Sequence, residues 1–254
     1  KSILNSFSNN SGNHAGENLP PLLLLPGMMC DHRLWDNMAE DLSRHATLSF
    51  GDLSRGATIT EMATQVLAQA PAAFVLCGFS MGGYVAQEIV RLAPERVISL
   101  VLINTSATGT TPSERNNRHE TAQLMANRSF KGVTTGNLRR SVHVSRAQDQ
   151  HLLDHIQRMA LDLGKDVFLR QLIMVRDDRH NGLESINCPT LVIAARDDRM
   201  RSVNESQALA DGISGARLII FENCGHMTPL EQPDALNNAL MDWLNACPTT
   251  VSPL

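Results

Sequence analysis

No stretch of this chain is apolar for long enough to cross a bilayer as a helix. The longest unbroken run near its start, Leu22–Leu25, falls far short of the roughly 18 to 20 residues that a spanning helix needs. Positive charge is also scarce. The 22 Lys and Arg against 26 Asp and Glu leave a formal net charge of −4, without the basic footprint that binding a phosphate backbone requires, so nucleic acid is not an expected partner. The five cysteines, Cys30, Cys77, Cys188, Cys224 and Cys247, are scattered and contain no CxxC pair. That pattern points to neither a zinc site nor a disulfide framework, and it makes a reducing cytoplasm the expected location. Residues 1–18 lack the apolar core of a signal peptide and an initiator methionine; rich in Asn, Ser and Gly, they are expected to form a flexible leader.

What is present suits one large α/β domain over residues 19–254, because 254 residues at 43% hydrophobic content are enough to bury a substantial core. Six short apolar runs, Leu22–Leu25, Thr47–Phe50, Ala73–Cys77, Ile98–Ile103, Leu191–Ala194 and Leu218–Phe221, read as buried strands. Helical patterns near 32–44, 58–70, 80–93, 203–211 and 233–246 alternate with them, with Pro71 and Pro94 closing two. A mostly parallel sheet of about six strands flanked by helices is expected. Residues 106–187 break the rhythm with helical stretches such as Arg118–Ala126 and His151–Leu163. An insertion of that length after a strand is too long for a simple crossover, and is expected to be a helical lid over a site at the strands' C-terminal edge. Its charged residues are in net positive excess, unlike the rest of the chain, which suits a solvated face or an anionic substrate.

The most informative segment is Gly78-Phe79-Ser80-Met81-Gly82, which follows the third apolar run and opens a helical pattern through Tyr84, Val85, Ile89 and Leu92. A sharp strand-to-helix turn lifts a serine hydroxyl above the sheet edge, and the flanking glycines let the backbone make it. Ser80 is therefore the candidate nucleophile.

A serine at neutral pH needs an imidazole to take its proton, and that imidazole needs a carboxylate to fix its tautomer. The order expected on this architecture is serine, acid, histidine. His226, in the loop after the last strand, is the candidate base. Asp197 and Asp198 compete as the acid in the loop after Thr190–Ala195. Asp198 is favoured because its neighbour is expected to point sideways and pair with an arginine. Asp31 and Asp52 precede the serine and read as structural turn or helix-entry residues. The backbone N–H groups of Met28, in the turn Pro26-Gly27-Met28, and of Met81 are the candidate oxyanion hole. Met28, Met125, Phe130, Met159, Phe168 and Met174 are candidate pocket residues. His151 and His155 have the i, i+4 spacing of metal ligands, but without a third ligand they read as an exposed helix face, and neither metal nor cofactor is implied.

Together the blocks LLLLPGMMCDHRLWD, LCGFSMGGYVAQEIV, PTLVIAARDDR and FENCGHMTPLEQPDALNNALMDWL resemble those of the α/β-hydrolase superfamily, in its small lidded esterase-like branch, over about residues 20 to 246. The resemblance implies the α/β-hydrolase fold, with Ser80 as nucleophile, His226 as base, Asp198 as acid, and Met28 and Met81 at the oxyanion hole. Pro26-Gly27 stands where many relatives have His-Gly, and Ala195 where Gly is usual, but neither change removes a backbone donor. The sheet is expected to start at the family's third strand. A carboxylic ester of a small molecule, cleaved by water, is the expected substrate. Lactonase, thioesterase, carbon–carbon hydrolase and perhydrolase chemistry run on the same triad. A slow-turnover ligand receptor is the alternative from another class. Oligomeric state is not readable from the sequence.

Overall fold

The computed structural model describes residues 19–251, so the leader expected over 1–18 lies outside the described residues. In chain order the elements are β1 (Pro21–Leu25), α1 (Asp36–Leu42), β2 (Thr47–Phe50), α2 (Ile59–Gln69), β3 (Phe74–Phe79), α3 (Met81–Leu92) and β4 (Val97–Ile103). There follow α4 (Pro112–Ala126), α5 (Thr135–Arg140), α6 (Gln150–Ile173), β5 (Thr190–Ala195), α7 (Val203–Gly212), β6 (Arg217–Phe221), α8 (Thr228–Glu231) and α9 (Pro233–Ala246). All six expected strands form. They make one parallel sheet in the order β2-β1-β3-β4-β5-β6.

Successive side chains of a strand point to opposite faces, so a run that is apolar at every position serves two cores at once. Leu22 and Leu24 of β1 pack with Val75 and Cys77 of β3 and with Leu236, Leu240 and Trp243 of α9. Leu23 and Leu25 face the other way, with Leu76 of β3 and with Met62, Val85 and Ile89 of α2 and α3. The reading of all six runs as buried is corrected at the sheet's margins. In β2 no residue is fully buried and in β6 only Phe221 is, because each has a neighbouring strand on one side alone.

Between β4 and β5 the described elements are helical, as expected, though α6 runs further than its pattern suggested. Gly164, at φ 85°, interrupts it and lets two helical halves join at a break. Thr111 opens α4 with a capping box to Glu114, which fixes where this helix begins. Among the described residues no helix is long and apolar enough to cross a membrane.

A parallel sheet gathers the C-terminal ends of its strands along one edge, where loops carry the groups that meet a ligand. Here that edge brings together the turn after Leu25, Ser80 after β3, Asn104 after β4, the 196–201 loop after β5 and the 222–227 loop after β6.

Candidate active site

Ser80 sits between β3 and α3 at φ 51° and ψ −114°, a conformation that costs a non-glycine residue of order 1–3 kcal/mol and persists only where surrounding bonds impose it. They do so here. Its N–H donates to the Ile103 carbonyl at 2.9 Å, and its carbonyl accepts from Gly83 N at 2.9 Å and from Thr105 Oγ1 at 2.7 Å. The glycines beside it are required by close approach. A Cβ on Gly82 would stand 2.5 Å from the Pro26 carbonyl oxygen, and one on Gly78 would strike the Gly82 carbonyl. The same tight contact holds the Pro26-Gly27-Met28 turn against the start of α3.

His226 bridges the other two candidates. Its Nε2 lies 2.9 Å from Ser80 Oγ and its Nδ1 lies 2.6 Å from Asp198 Oδ2. The Asp198 side chain is fully buried, and its Oδ1 accepts from the backbone N–H groups of Met200 at 2.7 Å and Arg201 at 2.9 Å. With its Oδ1 taken by these two amides, the carboxylate presents Oδ2 as the acceptor for Nδ1. Nδ1 then carries the proton and Nε2 is left to accept from the serine hydroxyl. Asp197 points away, half-exposed, with its Oδ2 3.6 Å from Nε2 of His143. The expected arginine partner is thus corrected, since Arg196 pairs with Glu222 instead.

Two side chains the sequence did not single out hold this arrangement. Asn104, 1% exposed and at φ 46°, donates through Nδ2 to the His226 carbonyl and to Thr228 Oγ1, both at 2.7 Å, while its Oδ1 accepts from Ala195 N at 3.0 Å. It clamps the ends of β4 and β5 to the histidine loop. Gln171 of α6 accepts from Met29 N at 2.8 Å and donates to the Leu53 carbonyl at 3.0 Å. With the Met29 and Cys30 amides engaged, the Met28 amide has no acceptor among the described residues. Met81, at the first position of α3, presents one of the amides that have no partner within the helix. The only sequence signal for Asn104 was a polar residue directly after a buried strand. For Gln171 there was none.

A cavity of about 530 Å3 opens onto Ser80, Met81 and His226. Met28, Met125, Phe168 and Met174 line it, as expected. Phe130 and Met159 do not. Phe130 packs against Phe168 with ring centroids 5.3 Å apart, and Met159, fully buried, joins Leu152 and Ile156 of the same helix in the hydrophobic core. His151 is exposed, whereas His155 is half-buried and its Nε2 lies 3.0 Å from the Arg33 carbonyl, a tie between α6 and the body rather than a ligand pair. Asp31 caps the turn over His32–Trp35 and Asp52 accepts from Ser54 N, the structural roles expected of them.

The model of the alpha/beta hydrolase family matches residues 22–239. The chain is similar to a pimeloyl-[acyl-carrier protein] methyl ester esterase of Nitrosomonas europaea, 28% identical over 85% of this chain and 92% of that one. It is also similar to a putative carbamate hydrolase, RutD, of Pseudomonas savastanoi pv. phaseolicola, 28% identical over 89% of this chain and 94% of that one. Among solved structures, a thermophilic esterase from Thermogutta terrifontis, malate bound, superposes with a TM-score of 0.80 at 26% identity, covering 91% of this chain and 90% of that one.

Proposed function

The chain belongs to the alpha/beta hydrolase family, and we propose that within it this protein is a serine esterase that cleaves a carboxylic ester of a small molecule. The observation that carries this reading is the unbroken relay from Ser80 Oγ through both nitrogens of His226 to Asp198, at 2.9 and 2.6 Å. Ser80 Oγ attacks the ester carbonyl as His226 Nε2 takes its proton. The carbonyl oxygen, now an anion, is held by the Met28 and Met81 amides. Each such donor is worth about 2.7–4 kcal/mol of barrier where one has been removed. His226 then protonates the departing alkoxide as the carbon–oxygen bond breaks, leaving an acyl group on Ser80. Water, deprotonated by His226, attacks that acyl carbonyl, and Ser80 recovers its proton as the acid leaves.

An ester suits this apparatus because its leaving oxygen needs one proton, which His226 already holds. Met28, Met125, Phe168 and Met174 give the cavity an apolar wall for the acyl or alcohol chain. In this reading the helical segment over 106–187 is the lid that excludes water and selects substrate. All five cysteines are free, which suits the reducing cytoplasm proposed for it.

A series of p-nitrophenyl esters of rising acyl length, with enough enzyme to tell one turnover from many, tests the reading. Repeated turnover is expected. A burst of one equivalent favours a slow receptor. Inactivity on every ester, with turnover of a lactone, thioester or carbon–carbon substrate, reassigns the reaction.

A further inference from the structure

Part of the cavity wall is built for charge rather than for chain packing. Arg118 of α4, Arg176 after α6 and Arg201 after β5 all line the cavity that holds Ser80, and all three are half-buried. The guanidinium carbons of Arg176 and Arg201 lie over the ring of Tyr84, 5.2 and 5.7 Å from its centroid. Tyr84 is itself fixed, with its hydroxyl donating to the Thr108 carbonyl at 2.8 Å. The ring belongs to α3, the helix that Ser80 caps, so it ties the position of the cations to that of the serine.

Two of the three cations lack an anion among the described residues. Arg201 pairs with Glu205 at 3.0 Å. Among the described residues, neither Arg118 nor Arg176 has a carboxylate within 4.0 Å. Nε of Arg176 is buried without a hydrogen-bond partner. Glu114 is the one acidic residue of the cavity wall, and its carboxylate already accepts from Thr111 N at 2.9 Å in the cap of α4. Burial, then the neighbouring charges of Arg118 and Arg201, pull the Arg176 pKa down to about 10, which still leaves it a cation at neutral pH. A cation withdrawn from water and left unpaired is costly, and such groups are ordinarily paired or hydrogen-bonded.

We infer that this arginine group is a binding site for a carboxylate on the substrate, so that the ester cleaved at Ser80 carries a second, ionised carboxyl group. The inference rests on the esterase reading for the bond that breaks, and adds to it the charge of the molecule. Arginine suits the task because its planar fork meets a carboxylate through two parallel N–H donors, and stacking on Tyr84 orients that fork before the ligand arrives.

The test compares monomethyl adipate with dimethyl adipate, which differ in whether the far end is charged, on the wild type and on Arg176→Met. The wild type is expected to favour the monoester in kcat/KM. Arg176→Met is expected to lower the ratio of the two kcat/KM values by about 10- to 100-fold, chiefly through KM, as hydrogen bonds to a charged group imply. A ratio measured within one protein is insensitive to partial loss of folded enzyme. A wild type that prefers the diester, or a ratio unmoved by the substitution, overturns the inference.

Calorimetric binding of adipate to Ser80→Ala, with and without Arg176→Met, separates this idea from the esterase reading. Adipate binding that depends on Arg176, in an enzyme that turns over neither ester, keeps the carboxylate site and removes the esterase. Turnover of both esters alike, without adipate binding, does the reverse. Inorganic phosphate binding more tightly than adipate overturns the assignment to a carboxylate.

Discussion

Asn104 and His226 lie 122 residues apart and are joined by a 2.7 Å hydrogen bond from the Asn104 side-chain amide to the His226 carbonyl. The bond fixes the backbone of the loop rather than the imidazole. Through its other contacts the same side chain holds Thr228 and the end of β5, from which Asp198 follows. The serine–histidine and histidine–aspartate distances thus depend on an amide that touches neither ring nitrogen.

Replacing Asn104 with Ala is expected to leave the His226 carbonyl, Thr228 Oγ1 and Ala195 N without this partner, and to put alanine at φ 46°. A stability loss of about 2–4 kcal/mol in urea unfolding is expected, with kcat/KM on an ester falling about 100-fold as the histidine shifts. Unchanged kinetics in a destabilised protein would remove Asn104 from the positioning of the site.

Strain at Ser80 makes a second expectation. Glycine populates positive φ without a Cβ penalty, whereas alanine inherits the conformation at φ 51°. Thermal or urea unfolding should show Ser80→Gly more stable than Ser80→Ala by about 1 kcal/mol, with both variants inactive. Equal stabilities would mean that the backbone relaxes at this turn.

Glu88 carries a pH dependence of stability. Its side chain is fully buried and accepts from Arg91, Thr60 and Arg179, and the Arg91 hydrogen bond above all holds its carboxyl down at about 2 rather than 4.5. A folded pKa below the unfolded one stabilises fully above about 4.5 and is lost as pH falls toward about 2. Glu88→Gln should therefore be less stable than the wild type by about 3 kcal/mol at pH 7, with the gap closing between pH 4.5 and the acid limit. A gap that stays constant with pH contradicts this.

Cys224 lies two residues before His226, yet its thiol is buried and pushed up to about 12, by burial first. The thiolate is the reactive form, so iodoacetamide at pH 7.5 should leave ester turnover unchanged. Loss of activity that follows labelling of Cys224 would show that the loop opens on the timescale of the reagent.

Much of this architecture was legible because short apolar runs and their polar interruptions are local. Thr47–Phe50 was read to the residue, and Ser80, Asp198 and His226, which the fold brings within hydrogen-bond reach of one another, were singled out as candidates from their places after strands. What stayed hidden depends on how distant segments meet. Strand order decides that β2 and β6 are edges, and no local pattern in TLSF or RLIIF carries it. Apolar residues on α6 have two surfaces to serve, so Met159 turned to the core and Phe168 to the cavity on the same helix. Asn104, Gln171 and the three arginines are ordinary polar residues until their partners arrive from across the fold.

The measurement closest to the central claim is hydrolysis of p-nitrophenyl butyrate by the wild type and Ser80→Ala side by side, with intact masses taken after each is exposed to a phosphonate that acylation-competent serines capture. Many turnovers by the wild type, none by the variant, and one phosphonyl adduct confined to Ser80 are expected. Turnover that survives in Ser80→Ala, or an adduct placed elsewhere, contradicts the assignment of Ser80 as nucleophile.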